Sequence, residues 1–354
     1  MTEVDSRLRH FAEEIRVLVE QDPIEGLRRW SEFFTMLRRT GQYDLCHEFL
    51  HVIKSMELPR YGIGIVRYSE GWLYDRSGQW KEAINAYEAA QKAFMASGLP
   101  LTVEVLAQIG SLYQDQGIWE AAEDAYNRAI TFADQHEDGH GRAAILNNLG
   151  GLWALRNENR RARRYFEEAK EKFTACGDRY NEAAATVGLA GVLRDEGRLQ
   201  DSSDRLGEAI SIFQELGDGH GLATSVASLA LTYHVANKLP EARHNYQAAM
   251  QIFTAINDRA SIAKTLANLA LVNQDMQETD TAVFLLEQAI AEYQEIGDHH
   301  GETIAYVNLA RLHKIRNDRD GMAAAAATAA QLSSEHGYLD QQERLRDLGS
   351  TTCN

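Results

Sequence analysis

The sequence predicts an all-α solenoid, and three observations carry that prediction. Aspartates stand at 138, 178, 218, 258 and 298, a spacing of 40 residues. Between them the apolar residues return every three or four positions rather than every second one, which is the period of a helix face. Only four prolines occur in 354 residues, while alanine, leucine and glutamate are plentiful, so little interrupts the helices and no run reads as strand.

The elements follow in order. Residues 1–21 read as one amphipathic helix, and Asp22-Pro23 restarts the chain, with Asp as N-cap and Pro in the first helical position. This gives an N-terminal capping helix over 1–23. The repeat array spans 24–337. A divergent hairpin begins near Trp30 and runs through "GQYDLCHEFLHVI"; the next, "EGWLYDRSGQWKEAINAYEAA" (70–90), fits the frame with a one-residue shift. "IGSLYQDQGIWEAAEDAYNRAI" (109–130) fits without a shift, and from about 139 to 338 the period holds without insertion. Each unit has a first helix of about 17 residues. A break follows at Gly117, Asn157, Gly197, Asn237 or Asn317, residue types that tolerate a left-handed C-cap. A second helix comes next, and then Gly-Asp, where Gly can end one helix and Asp can cap the next. Such a hairpin cannot bury its apolar face alone, so about eight of them must stack. Residues 338–354 read as a polar capping helix with a short tail.

Charge and cysteine content narrow the function. The net charge of −16 disfavours a phosphate backbone or an anionic membrane surface as main partner and suits basic ones. Cys46, Cys176 and Cys353 are far apart and in no metal-binding spacing, which reads as free thiols in a reducing compartment. The first residues are charged, unlike a signal peptide. A cytoplasmic location is the expectation.

Three motifs could carry chemistry. His47-Glu48-x-x-His51 has the form of a zinc-protease motif, and two histidines four apart share a helix face. A protease also needs a third ligand and a strand to align its substrate, and Glu70 and Asp75 downstream are five apart rather than four. Surface histidines of a repeat helix are the expected reading, a zinc metalloenzyme the remote one. "GDGHG" and "GDHHG" are read as repeat punctuation, because equivalent loops of stacked hairpins are expected about 20 Å apart at roughly 10 Å per helix layer. "RNENRRARRYF" (156–166) puts Arg160, Arg161, Arg163 and Arg164 at the start of a second helix, either a solvated face or a patch for an acidic peptide. No catalytic constellation or cofactor motif is found, so neither enzyme activity nor a cofactor is expected.

The small and large residues of each unit resemble those of the tetratricopeptide repeat. Gly110, Gly150, Ala190, Ala230, Ala270 and Ala310 match the small position of the first helix; Tyr113, Trp153 and Tyr233 match its aromatic position. Ala122, Ala162, Ala242 and Ala282 match the small position of the second helix, with Tyr126, Phe166 and Tyr246 at its large one. The 40-residue period is similar to that of spindle-orientation adaptors of the Pins/LGN kind and of bacterial sensor arms. Peptide pheromone receptors of Gram-positive bacteria are similar as well, but carry an N-terminal helix-turn-helix for which the residues ahead of the first hairpin are too few. The resemblance implies a right-handed superhelix whose first helices line a concave groove, and a protein-binding rather than catalytic role.

In that family the groove-facing positions of the repeat are the fifth, ninth, twelfth and thirteenth. Here the fifth includes Asn147, with Ala227 and Ala267; the ninth includes Leu231, Leu271 and Arg311; the twelfth Arg194, His234, Gln274 and Lys314. The thirteenth alternates acid and apolar: Asp115, Leu155, Asp195, Val235, Asp275 and Ile315. These residues are the candidate binding surface for a protein segment with spaced basic and apolar side chains, with no nucleic acid or membrane involved. A small-molecule or signal-peptide sensor is the alternative. Asn148, Asn268 and Asn308 match a structural asparagine of the family and are set aside. At about 40 Å per two repeats, an extended partner would meet successive acids every 10 to 12 residues or so.

Overall fold

A computed structural model describes residues 3–39, 42–97 and 101–336, together with Tyr338, Gln341 and Arg344. Cys353 and nearly all of the expected C-terminal cap and tail lie outside the described residues. The described residues form seventeen helices and no strand. Helix α1 spans Glu3–Gln21. The hairpins that follow are α2 (Pro23–Arg39) with α3 (Tyr43–Lys54), α4 (Arg60–Arg76) with α5 (Trp80–Met95), α6 (Thr102–Asp115) with α7 (Trp119–Gln135), and α8 (Gly139–Leu155) with α9 (Asn159–Cys176). Next come α10 (Arg179–Asp195) with α11 (Leu199–Leu216), α12 (Gly219–Val235) with α13 (Leu239–Ala255), α14 (Arg259–Asp275) with α15 (Thr279–Ile296), and α16 (His299–Ile315) with α17 (Arg319–His336).

Two compact units result, Met1–Cys176 and Gly177–Asn354. Inside each, consecutive helices pack on one another. Successive first helices also touch, as α6 does α8 in the first unit and α12 does α14 in the second.

The helix ends are fixed by the residues read from the sequence. Asp138, Asp178, Asp258 and Asp298 accept the backbone N–H three residues on, at 2.7, 3.0, 3.1 and 2.8 Å, and Asp218 does the same to Gly221. Each such cap satisfies an amide with no intrahelical partner and is worth about 1 kcal/mol. Asp22 caps α2 in the same way, accepting from Ile24 and Glu25, both at 3.2 Å. Left-handed residues stand at 117, 137, 157, 177, 197, 217, 237, 257, 277, 297 and 317. All but Glu137 and Gln277 are Gly or Asn, the types that reach this region at least cost.

The first unit closes around Trp30, Phe34, Phe49 and Ile53, with the Trp30 indole N–H donating to the Phe49 carbonyl at 3.4 Å. The main core of the second unit joins Ala230, Tyr246, Leu269, Leu286 and Ala310. No helix among the described residues is long and apolar enough to cross a membrane. Cys46 is buried and Cys176 exposed, both as free thiols.

Candidate functional site

The helical period sorts each first helix into rows. The eighth-row residues Gly110, Gly150, Ala190, Ala230, Ala270 and Ala310 are buried under the paired second helix. The fifth, ninth and twelfth rows are half-buried, so they form a surface rather than a core; Val307 and Arg311 are the exceptions, the first buried and the second exposed. The thirteenth row is open to solvent throughout: Leu155 is 61% exposed, and Val235 and Ile315 are each 56% exposed, beside the exposed Asp115, Asp195 and Asp275.

In the second unit this surface is tied together by side chains. His234 Nε2 lies 2.7 Å from Asp275 Oδ2, joining α12 to α14. Near the starts of the same helices, His220 Nδ1 lies 3.0 Å from Asp258 Oδ2. Equivalent ends of neighbouring first helices are therefore within side-chain reach. The 20 Å expected between them, and the 40 Å for two repeats, are too large, because only the first helices stack along this face while the second helices lie behind. Arg194 pairs with its neighbour Asp195 at 3.0 Å. Gln274 and Lys314 are half-buried at the same level.

Between α12 and α14 the surface opens into a cavity of about 160 Å³. Leu231 and Ala227 line it, as expected from the ninth and fifth rows. Its other walls were not anticipated: Thr224, Ser228, Lys264, Asn268 and, from α13, Tyr246. The Tyr246 hydroxyl is buried and has no hydrogen-bond partner among the described residues. Burial pushes its pKa well above the usual tyrosine range, and the nearby Arg194 charge pulls it partly back. The Lys264 ammonium makes no ion pair among the described residues. The missed signal is the second and sixth rows, Thr224 with Ser228 and Lys264 with Asn268, which face the cleft one turn before the ninth. Asn268, set aside as structural, lines this opening.

The first unit carries Asp115, Asn147 and Leu155. Asn147 is half-buried, and its Oδ1 is buried without a donor among the described residues. Partial desolvation raises the Asp115 carboxyl above its ordinary range although the residue is exposed, and desolvation raises half-buried Asp75 too, with the Asp115 charge adding to the effect. A second, larger cavity of about 320 Å³ lies between α2, α4 and α6, walled by Phe34, Ile65, Phe94 and Val105 and edged by Arg38, Tyr68 and Glu104.

His47 and His51 do meet Glu70 around a small cleft on α3 and α4. The Glu70 carboxylate, however, is engaged by Lys54 and, at 2.8 Å, by Arg67. No group of three or more His, Cys, Asp or Glu side chains able to hold a metal is found among the described residues.

Models of the tetratricopeptide repeat match residues 142–172 and 181–255, which hold the middle of the rows just described. The chain is a tetratricopeptide-repeat protein. A family model for anaphase-promoting complex subunit 5 also matches this tetratricopeptide-repeat chain, over 100–152 and 242–316. No curated protein sequence matches. Among solved structures it is similar to the apo quorum sensor NprR from B. thuringiensis, at 13% identity and a TM-score of 0.64, over 93% of this chain and 99% of that one. A Rap protein complexed with competence and sporulation factor matches at 15% identity and a TM-score of 0.59, over 92% and 98%. A signal-transduction ATPase with a tetratricopeptide-repeat sensor, from Pyrococcus horikoshii, matches at 14% and 0.62, over 95% of this chain and 50% of that one. At these identities the likeness is one of fold.

Proposed function

We propose that this tetratricopeptide-repeat protein is a non-catalytic binding scaffold or adaptor, and that the first-helix face of the second unit holds a protein segment carrying spaced basic and apolar residues. The observation that carries this reading is the thirteenth row, where Val235 stands in solvent between Asp195 and Asp275, and Ile315 follows Asp275. Exposed apolar side chains repeated along one face stabilise a partner by leaving water, and the acids set its register. The Rap structure was solved with a bound factor, which is consistent with a scaffold of this shape accepting a ligand.

At about 8–10 Å between packed first helices, acids two repeats apart are some 20 Å apart, or about six residues of extended chain. The test is selection from a displayed peptide library on the purified protein, followed by titration of the enriched peptides. They should carry Lys or Arg at about that spacing, and Asp195→Lys with Asp275→Lys should weaken them while Arg160→Glu does not. Enriched peptides indifferent to the Asp pair would overturn the assignment.

The 320 Å³ cavity of the first unit supports a second reading, a small-molecule sensor. A thermal-shift screen would find ligands whose effect disappears in Ile65→Trp, which fills that cavity.

A further inference from the structure

The start of α9 is charged the wrong way for the helix that carries it. Of the eight second helices, seven have an acid in the first turn: Asp44, Glu82, Glu120, Asp201, Glu241, Asp280 and Asp320. Helix α9 has none, and Arg160 and Arg161 occupy that turn instead. The N-terminal end of a helix carries a partial positive charge, so cations there are disfavoured. Arg160 and Arg164 add a like-charged pair four residues apart, which also costs helix stability.

Among the described residues no ion pair to Arg160, Arg161 or Arg164 offsets this. Arg142 in the same unit, and Arg179, Arg243 and Arg259 elsewhere, all sit in ion pairs. Arg156, Arg160, Arg161 and Arg164 make none among the described residues, and Glu158 just ahead of α9 engages none of them. Two of these arginines are nonetheless held in place. The guanidinium carbons of Arg156 and Arg161 lie 4.7 and 4.1 Å from the Trp153 ring centroid. Trp153 itself is buried, and its indole Nε1 has no acceptor among the described residues. Stacking fixes the planar forks without neutralising them, so they stand ready for a carboxylate at low entropic cost.

We propose that Arg156, Arg160, Arg161 and Arg164 form a docking patch for an acidic segment of another protein, separate from the first-helix face. Charge complementarity selects the partner: uncompensated guanidiniums pair bidentately with carboxylates. The overall charge of −16 selects its length. A short acidic segment meets the patch within a screening distance of about 8 Å at physiological salt, whereas a long polyanion or an anionic bilayer must also approach the acidic remainder.

The experiment titrates the full chain with a short labelled peptide of alternating aspartate and glutamate, at low and at physiological salt, beside single-stranded DNA and phosphatidylserine vesicles. The acidic peptide should bind and weaken with salt. Arg160→Glu with Arg164→Glu should reduce its affinity about tenfold or more. Arg160→Gln alone removes both the dipole conflict and the like-charged pair, so it should weaken the peptide yet unfold at higher urea, and lost binding then cannot be ascribed to lost fold. Binding of DNA or vesicles without the peptide, unchanged peptide affinity in either variant, or an Arg160→Gln variant that unfolds at lower urea would each overturn the proposal.

Discussion

The hairpins of the two units solve one packing problem differently. In the first unit a glycine faces an aromatic ring sixteen residues later: Gly71 under Tyr87, Gly110 under Tyr126, Gly150 under Phe166. A Cβ on Gly110 would come within 2.5 Å of the Tyr126 ring. In the second unit the small residue is alanine, and sixteen residues later stand Leu206, Tyr246, Leu286 and Ala326. Small-residue size and ring size are thus traded against each other at the helix crossing. Tyr246 departs from the trade, an aromatic opposite the alanine Ala230, and it is Tyr246 that lines the cavity between α12 and α14. The difference teaches that the crossing is a volume constraint shared by two helices, and that a site can open where the constraint is relaxed.

The comparison can be broken most sharply by overpacking. Gly110→Ala, Ala230→Leu and Ala270→Leu should each lower stability by about 1–3 kcal/mol in urea unfolding. Hydrogen exchange should rise most in the altered hairpin and its neighbours, since the contacts run between adjacent repeats. An even rise along the whole chain would contradict the local picture.

Loss of a cap should come next. Asp298→Ala should cost about 1 kcal/mol. Asp258 adds a pH signature. Burial pushes its carboxyl up, but hydrogen bonds from Ser261 and the nearby His220 more than offset this and hold it below the usual carboxylate range. Its contribution is therefore present above the unfolded pKa and lost as pH falls through the folded one. Asp258→Asn should flatten that part of the acid unfolding curve.

Smaller gains should appear where the local rules are violated. Gln277 holds φ of 65°, and Gln277→Gly should stabilise by up to about 1 kcal/mol, read as a shift in thermal midpoint. Asp75 has the opposite sign to Asp258. Its folded pKa is raised, by burial first and then by the charge of Asp115. The penalty is complete above the folded pKa and gone below the unfolded one, so Asp75→Asn should stabilise at neutral pH and lose that advantage in acid.

Much of the fold was legible because the sequence repeats its own punctuation. The Asp caps, the left-handed Gly and Asn joints and the eighth-row small residues all lie where the period puts them. Less could be read of what depends on distance. That α12 and α14 stand close enough for His234 to bond Asp275 follows from the second helices packing behind the first, which a one-dimensional pattern does not state. The cavity around Tyr246 was missed because Tyr246 matches a core position and Asn268 a structural one. The boundary at Cys176 leaves no mark, since the period crosses it without a break.

The left-handed residues recur every twenty positions from 117 to 317, half the interval at which the side chains repeat. Both ends of each hairpin from α8 to α15 are therefore the same joint, and there the backbone cannot distinguish a first helix from a second. A lineage built this way lengthens and shortens in whole modules. Excising a block of forty residues rejoins equivalent joints, whereas one inserted residue turns every later side chain in its helix by about 100° and moves core positions into water. Over these modules length is thus quantised, and first-helix faces can be reordered by recombination without redesigning a single loop.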